Sequence, residues 1–146
     1  MKKSIFFAVA FLMVLSLAGC GKKDKELAEY KTKVETFYDT VFTSSQNINA
    51  IDMTDKDKAE TEMLAELDTI NAAFQEFAEV TAPKEFSNVD ESADAAAEAM
   101  AEANSLYHDF FAKEEYDEAL ALNAKAKYSE AITYVNEMGT MFSEQK

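Results

Sequence analysis

The sequence predicts an all-α domain, an antiparallel up-down-up-down four-helix bundle, behind an N-terminal segment of different make. Three observations lead there. Apolar residues recur in steps of three and four through four long segments, the spacing that gathers them on one helix face. No window alternates apolar with polar residues as a half-buried strand does. The one proline and the best capping residues fall between the segments.

The first stripe is Leu27, Tyr30, Val34, Phe37, Val41, Ile48 and Ile51, with Ser44 in the one missing place, and predicts a helix over 26–51. Asp52-Met53-Thr54-Asp55 follows. Its side-chain oxygens suit an N-cap, and Asp57 stands three residues after Thr54 as in a capping box. The second stripe, Met63, Leu67, Ile70, Phe74 and Phe77, predicts a helix over 55–80.

Thr81-Ala82-Pro83 ends it, since proline fits a first helical turn and not a helix interior. The third helix is predicted over 84–111, on Phe86, Val89, Ala93, Ala96, Met100, Ala103, Tyr107 and Phe110, with Ser87 and Asp90 as a competing start. Ala112 to Tyr116 is the next break and Asp117 the next cap. The last helix, over 117–142, carries Ala121, Ala124, Tyr128, Ala131, Val135, Met138 and Phe142. Gly139 either ends this helix or lets a neighbour approach; both readings stay open. Segments of about 25 residues are about 38 Å long at 1.5 Å per residue. Equal lengths and short connections favour antiparallel neighbours.

The residues before the bundle have another logic. Met1-Lys2-Lys3 is basic, Ser4 to Leu17 is uncharged and apolar, and Ala18-Gly19 are small. That order, over residues 1–19, describes a secretory signal with small residues at a cleavage point, not part of a fold. The apolar run is short for a membrane span, which needs about 20 residues. Cys20 is the only cysteine, so no disulfide can form within the chain.

Leu17-Ala18-Gly19-Cys20 resembles the lipobox of bacterial lipoproteins processed by signal peptidase II. The resemblance implies diacylglycerol on the Cys20 thiol, cleavage after Gly19, and Cys20 as the new N-terminus, where an N-acyl chain is an optional further step. It implies a protein held by lipid on the extracytoplasmic face of a membrane, at the cell surface or on the periplasmic side. Two acyl chains hold far better than one, at about 0.8 kcal/mol per buried methylene. Residues 20–25 read as the lipidated cysteine and a flexible basic tether; Lys22, Lys23 and Lys25 either meet anionic headgroups or merely solvate a linker. The domain proper is 26–146. With Cys20 in the membrane, the Asp52 and Lys113 turns would lie far from it, and the Pro83 turn and C-terminus near it.

Charge narrows the partners. From Cys20 onward the chain has 12 lysines, no arginine and 28 acidic residues, a formal charge of −16. Such a surface repels nucleic acid, which binds through basic contacts to phosphate, and other polyanions likewise. It steers cationic ligands towards it; the series Asp90, Glu91, Asp94, Glu98 and Glu102 could bind a cation or a basic peptide, but a solvated helix face is the more usual reason for such a run.

Sites of chemistry are scarce. Ferritin-like metal centres need Glu-x-x-His, but the residue three before the only histidine, His108, is Ser105. Attached haem needs Cys-x-x-Cys-His, which is absent. A haem held by His108 with Met63 or Met138 competes with the usual use of stripe methionines as core filler. His108 and Asp109 could pair as base and orienting carboxylate, yet a histidine there also complements a helix C-terminus. No nucleotide or calcium loop and no nucleophile elbow occurs. The expectation is a non-catalytic interaction or scaffold module of the cell envelope, with no cofactor beyond the lipid and an envelope protein as candidate partner. The alternative is a ligand- or cation-binding bundle, with a pocket between helices or a site on the third helix. The Pro83-Lys84-Glu85-Phe86 turn before a long stripe is also similar to small helical-bundle lipoproteins of unassigned activity, which implies no site residues.

Overall fold

A computed structural model describes residues 21–144. The segment 1–19, with the expected cleavage point at Gly19, and the expected attachment residue Cys20 lie outside the described residues. Four helices carry the chain: α1 (Lys22–Ala50), α2 (Lys56–Ala78), α3 (Asn88–Phe111) and α4 (Glu118–Glu144), with a short 3-10 turn at Lys84–Phe86. No strand occurs among the described residues. The fold is an all-α four-helix bundle.

Two boundaries correct the sequence reading. The first concerns the tether, because α1 begins at Lys22 and takes residues 22–25 into its first turn. Lysine is a good helix former, and Asp24 in that turn complements the positive helix N-terminus. Gly21 stands just outside in extended backbone, its carbonyl accepting from the Asp24 N–H at 3.1 Å. The second concerns α3, which starts at Asn88 and not at 84. Pro83 starts a single 3-10 turn, closed by the Phe86 N–H on the Pro83 carbonyl at 2.7 Å. That turn drives the Phe86 ring into the core, 5.8 Å from Tyr30 and 5.5 Å from Phe142.

Caps also sort themselves. Asp55, not Thr54, caps α2 by accepting from the Lys58 N–H at 3.2 Å, while Asp52 accepts from the Thr54 N–H at 3.0 Å inside the turn. The helix begins at Lys56, which makes Asp55 the N-cap, and its side chain takes the N–H three residues on. Asp117 caps α4 as its sequence position predicts, accepting from Leu120 N–H at 3.0 Å.

Contacts between helices run in opposite senses along the partners. On α1 and α2, Tyr30 and Phe37 meet Phe77, Phe37 meets Phe74, and Asn47 bonds Glu66. On α2 and α3, Gln75 bonds the Ala97 carbonyl and Asp68 meets Asn104. On α1 and α4, Tyr38 meets Val135 and Ser45 meets Tyr128. In each pair one residue number rises as the other falls, so these neighbours are antiparallel.

The core follows the stripes. Tyr30, Val34, Phe37, Val41 and Ser44 are buried on α1; Leu67, Ile70, Phe74 and Phe77 on α2; Ala131, Val135, Met138 and Phe142 on α4. Helix α3 buries a wider face, adding Ser92, Ala97 and Ala99 to Val89, Ala93, Ala96, Met100 and Ala103. Its small side chains suit close packing, and α3 makes its most extensive backbone contact with α4. The two ends differ in bulk. At the Pro83 end seven aromatic rings interlock (Tyr30, Phe37, Tyr38, Phe74, Phe77, Phe86 and Phe142), with Phe37 stacked on Phe77 at 4.5 Å and edge-on to Phe74 at 5.1 Å. At the other end the small residues Ala59 and Ala124 are buried outside that continuous cluster.

Candidate functional site

The positions singled out in the sequence do not converge. His108 does not pair with Asp109. Its Nε2 lies 2.8 Å from Asp68 Oδ1 on α2, and Asn104 Nδ2 donates to the same oxygen at 2.9 Å. Burial alone would raise the Asp68 carboxyl, but the bonds from His108 and Asn104 outweigh it and hold the group below the ordinary carboxylate range. Both partners are about half exposed, so the cluster is a surface clasp between α2 and α3.

Methionine cannot complete a His108 pair from α4. Met138 is fully buried towards the Pro83 end, whereas His108 stands in the last turn of α3 at the opposite end.

The acidic series of α3 divides by task. Asp90 accepts the Ala82 N–H at 3.0 Å and so fixes the Pro83 turn. Glu102 reaches across to Lys127 of α4 at 2.9 Å, and Lys127 also meets Glu130 at 3.2 Å. The bonds to Glu102 and then Glu130 hold the Lys127 ammonium above its ordinary range. Glu91, Asp94 and Glu98 remain on an exposed face. Among the described residues no group of three or more His, Cys, Asp or Glu is placed to hold a metal ion, and no helix is long and apolar enough to cross a membrane.

A different feature stands out at the end formed by the α1–α2 and α3–α4 turns. The large apolar side chains left exposed are Tyr116 at 76%, Met53 at 68%, Leu122 at 59% and Phe42 at 45%. Single exposed apolar residues are ordinary on any surface. Here all four belong to the half of the bundle that holds these two turns, and none to the Pro83 half.

The α3–α4 turn organises the largest of them. Tyr116 lies edge-on against Phe110, ring centroids 5.6 Å apart, and Phe110 is edge-on to Phe111 at 5.0 Å. Edge-to-face contact is the favoured arrangement of aromatic rings. The turn is fixed from both sides. Asp117 caps α4 with one oxygen and takes Lys113 Nζ at 2.7 Å on the other. The Lys113 bond first, and the Leu120 N–H next, hold the Asp117 carboxyl below its usual range. In the facing turn the Thr54 N–H does the same for Asp52. Beside these rings in the chain stand Asp109, Glu114, Glu115 and Glu118, all exposed and without an ion-pair partner among the described residues.

Reading by stripes passes over this surface, because Met53 and Tyr116 fall in breaks and Phe42, Phe111 and Leu122 fall off the stripes. Their one sequence signal is bulky apolar residues in otherwise polar turns and faces. No family model, no curated protein and no solved structure matches this chain.

Proposed function

We propose that the protein is a lipid-anchored, extracytoplasmic interaction module, non-catalytic, whose two-turn end contacts another protein of the cell envelope. The observation that carries this reading is that Phe42, Met53, Tyr116 and Leu122, all exposed, lie in the half that holds the two turns. Exposed apolar patches rimmed by polar groups mark interaction sites more often than accident explains.

The anchor belongs to the same reading through the lipobox-like Leu17-Ala18-Gly19-Cys20. Lipid on Cys20 would sit one residue from α1, with Gly21 as the only residue between them. The helix of 29 residues would then carry the apolar end about 43 Å from its base at 1.5 Å per residue. The alternative, a ligand or cation bound inside the bundle, has less support, because Phe74, Ile70, Met100 and Met138 fill the interior with fully buried side chains.

The test is a photo-crosslinking residue at position 116, introduced into the protein in its native envelope. The reading expects one discrete protein adduct from position 116 and none from the exposed position 94 on α3. Adducts of equal yield from both positions, or none from 116, would overturn it.

A further inference from the structure

We infer that the two-turn end is a docking surface for a cationic, apolar-anchored segment of a partner protein. The inference deepens the interaction-module reading and rests on it.

Two features of this surface select the occupant. The first is a prepared apolar anchor: Tyr116 is three-quarters exposed, yet its ring is backed by Phe110 at 5.6 Å, which in turn packs on Phe111. A tyrosine held this way offers contact area at low entropic cost, since it has few torsions to fix. The second is uncompensated charge of one sign. Asp109, Glu114, Glu115 and Glu118 are exposed and flank Phe110, Phe111 and Tyr116 in the chain, and the one lysine of the turn, Lys113, is already taken by Asp117. The facing turn adds Met53, exposed beside Asp52 and Asp55.

Charge then discriminates among occupants that would cover an apolar patch. A second copy would bring the same carboxylates against themselves, on chains whose formal charge from Cys20 onward is −16 each. An anionic bilayer is repelled for the same reason. A segment bearing Lys or Arg around a bulky apolar side chain satisfies both features, because opposite charge steers encounter and the buried anchor slows release.

The test uses the full chain in zwitterionic detergent and three labelled synthetic peptides, read by anisotropy against detergent alone. One is Lys-rich with a Leu-Phe anchor, the second has Glu in place of Lys, and the third keeps Lys but has Ser at the anchor. The first is expected to bind saturably and to weaken as salt rises. The third is expected about tenfold weaker and the second not to bind, as loss of a central aromatic contact or reversal of rim charge implies. Tyr116→Ser should weaken the first peptide by about tenfold, and Glu114→Gln with Glu115→Gln should weaken it and flatten its salt dependence. Glu91→Gln with Asp94→Asn, on the acidic face of α3, should change nothing.

Equal loss from the α3 pair would reduce the effect to diffuse attraction and overturn the inference. So would absence of binding, binding of the Glu peptide, or self-association that depends on Tyr116. A crosslinked partner at position 116 combined with no binding of the Lys peptide retains the module reading and removes this inference alone.

Discussion

The hydroxyl of Tyr38 on α1 donates a 2.8 Å hydrogen bond to the main-chain carbonyl of Val135 on α4. It reaches that carbonyl beside Gly139, where a Cβ would lie 3.5 Å from the Tyr38 oxygen. Helix α4 runs on to Glu144, so Gly139 does not end it. Of the two readings the sequence leaves open, close approach is the one realised.

The same geometry decides the sign of a substitution. A separation of 3.5 Å is ordinary contact, and alanine in a helix interior is better than glycine by about 0.5–1 kcal/mol. Gly139→Ala should therefore raise the thermal midpoint by a few degrees, measured by far-UV circular dichroism. A fall would mean that Tyr38 cannot give way. Tyr38→Phe removes one hydrogen bond and should cost about 1 kcal/mol.

Tyrosine ionisation sets an alkaline limit. Burial, and then the charge of Asp90, push the Tyr30 hydroxyl well above its ordinary value; burial first and Tyr30 second do so for Tyr38. A raised folded value means that the unfolded chain loses these protons first. Stability is then complete below about pH 10, the ordinary tyrosine value, and falls above it by about 1.4 kcal/mol per pH unit for each group. Burial raises Tyr107 in the same direction, so denaturant midpoints between pH 8 and 12 should fall in the native protein and fall less steeply in Tyr38→Phe. An unchanged midpoint at pH 11.5 would contradict it.

Core and surface should separate sharply on truncation. Phe74 is 1% exposed and edge-on to Phe37, so Phe74→Ala should cost about 3–5 kcal/mol. Leu122, 59% exposed, should lose no more than about 0.5 kcal/mol as Leu122→Ala. Urea unfolding of both variants checks the contrast.

The clasp of His108 and Asp68 should matter little to stability. Both groups are about half exposed, and exposed ion pairs measure about 0–1 kcal/mol. A double-mutant cycle with His108→Ala and Asp68→Asn should return a coupling at the low end of that range. The lowered Asp68 value gives the sign. Its contribution is present above about pH 4, the ordinary carboxylate value, and is lost as pH falls through the folded value. A coupling several times larger would point to a role beyond clasping.

Lipidation is checked by metabolic labelling with a fatty acid. Cys20→Ala should abolish incorporation and leave the precursor uncut at Gly19. Normal labelling of that variant would remove the anchor from the proposed function.

Much of the fold is legible because helical burial is written locally. Ser44 illustrates this: the stripe predicts a buried position there, and a serine occupies it at 3% exposure. Asp117 is a second case, since a cap bonds within its own turn and needs no distant partner. Thr54 marks the limit, because three oxygen-bearing residues in one short turn compete and only the local backbone path selects Asp55. The Pro83 turn lies beyond local reading. Its closure depends on Asp90 accepting from Ala82, eight residues away, and on a place for Phe86 between Tyr30 and Phe142.

The candidate site was less legible for the same reason. His108 has a carboxylate beside it in the chain, yet bonds one 40 residues earlier, because helix rotation turns Asp109 away. Met53 and Tyr116 are unremarkable in their own turns. Only antiparallel packing brings those turns to one end.

By itself the sequence determined the helical class, the number of helices and most of the residues that face inward, Ala59, Ala82, Ser92, Ala97 and Ala99 being the buried residues off the stripes. Class, number and stripes follow from spacing of three and four along one chain, where each residue's burial depends on its near neighbours. The tertiary structure decided what spacing cannot: that Gly139 admits Tyr38, that Asp68 holds His108, and that unburied apolar side chains gather beside carboxylates at one end. Each of these depends on the rotation and register of one helix against another. The close fit of side chains through the whole core sets both, and no single segment carries that information.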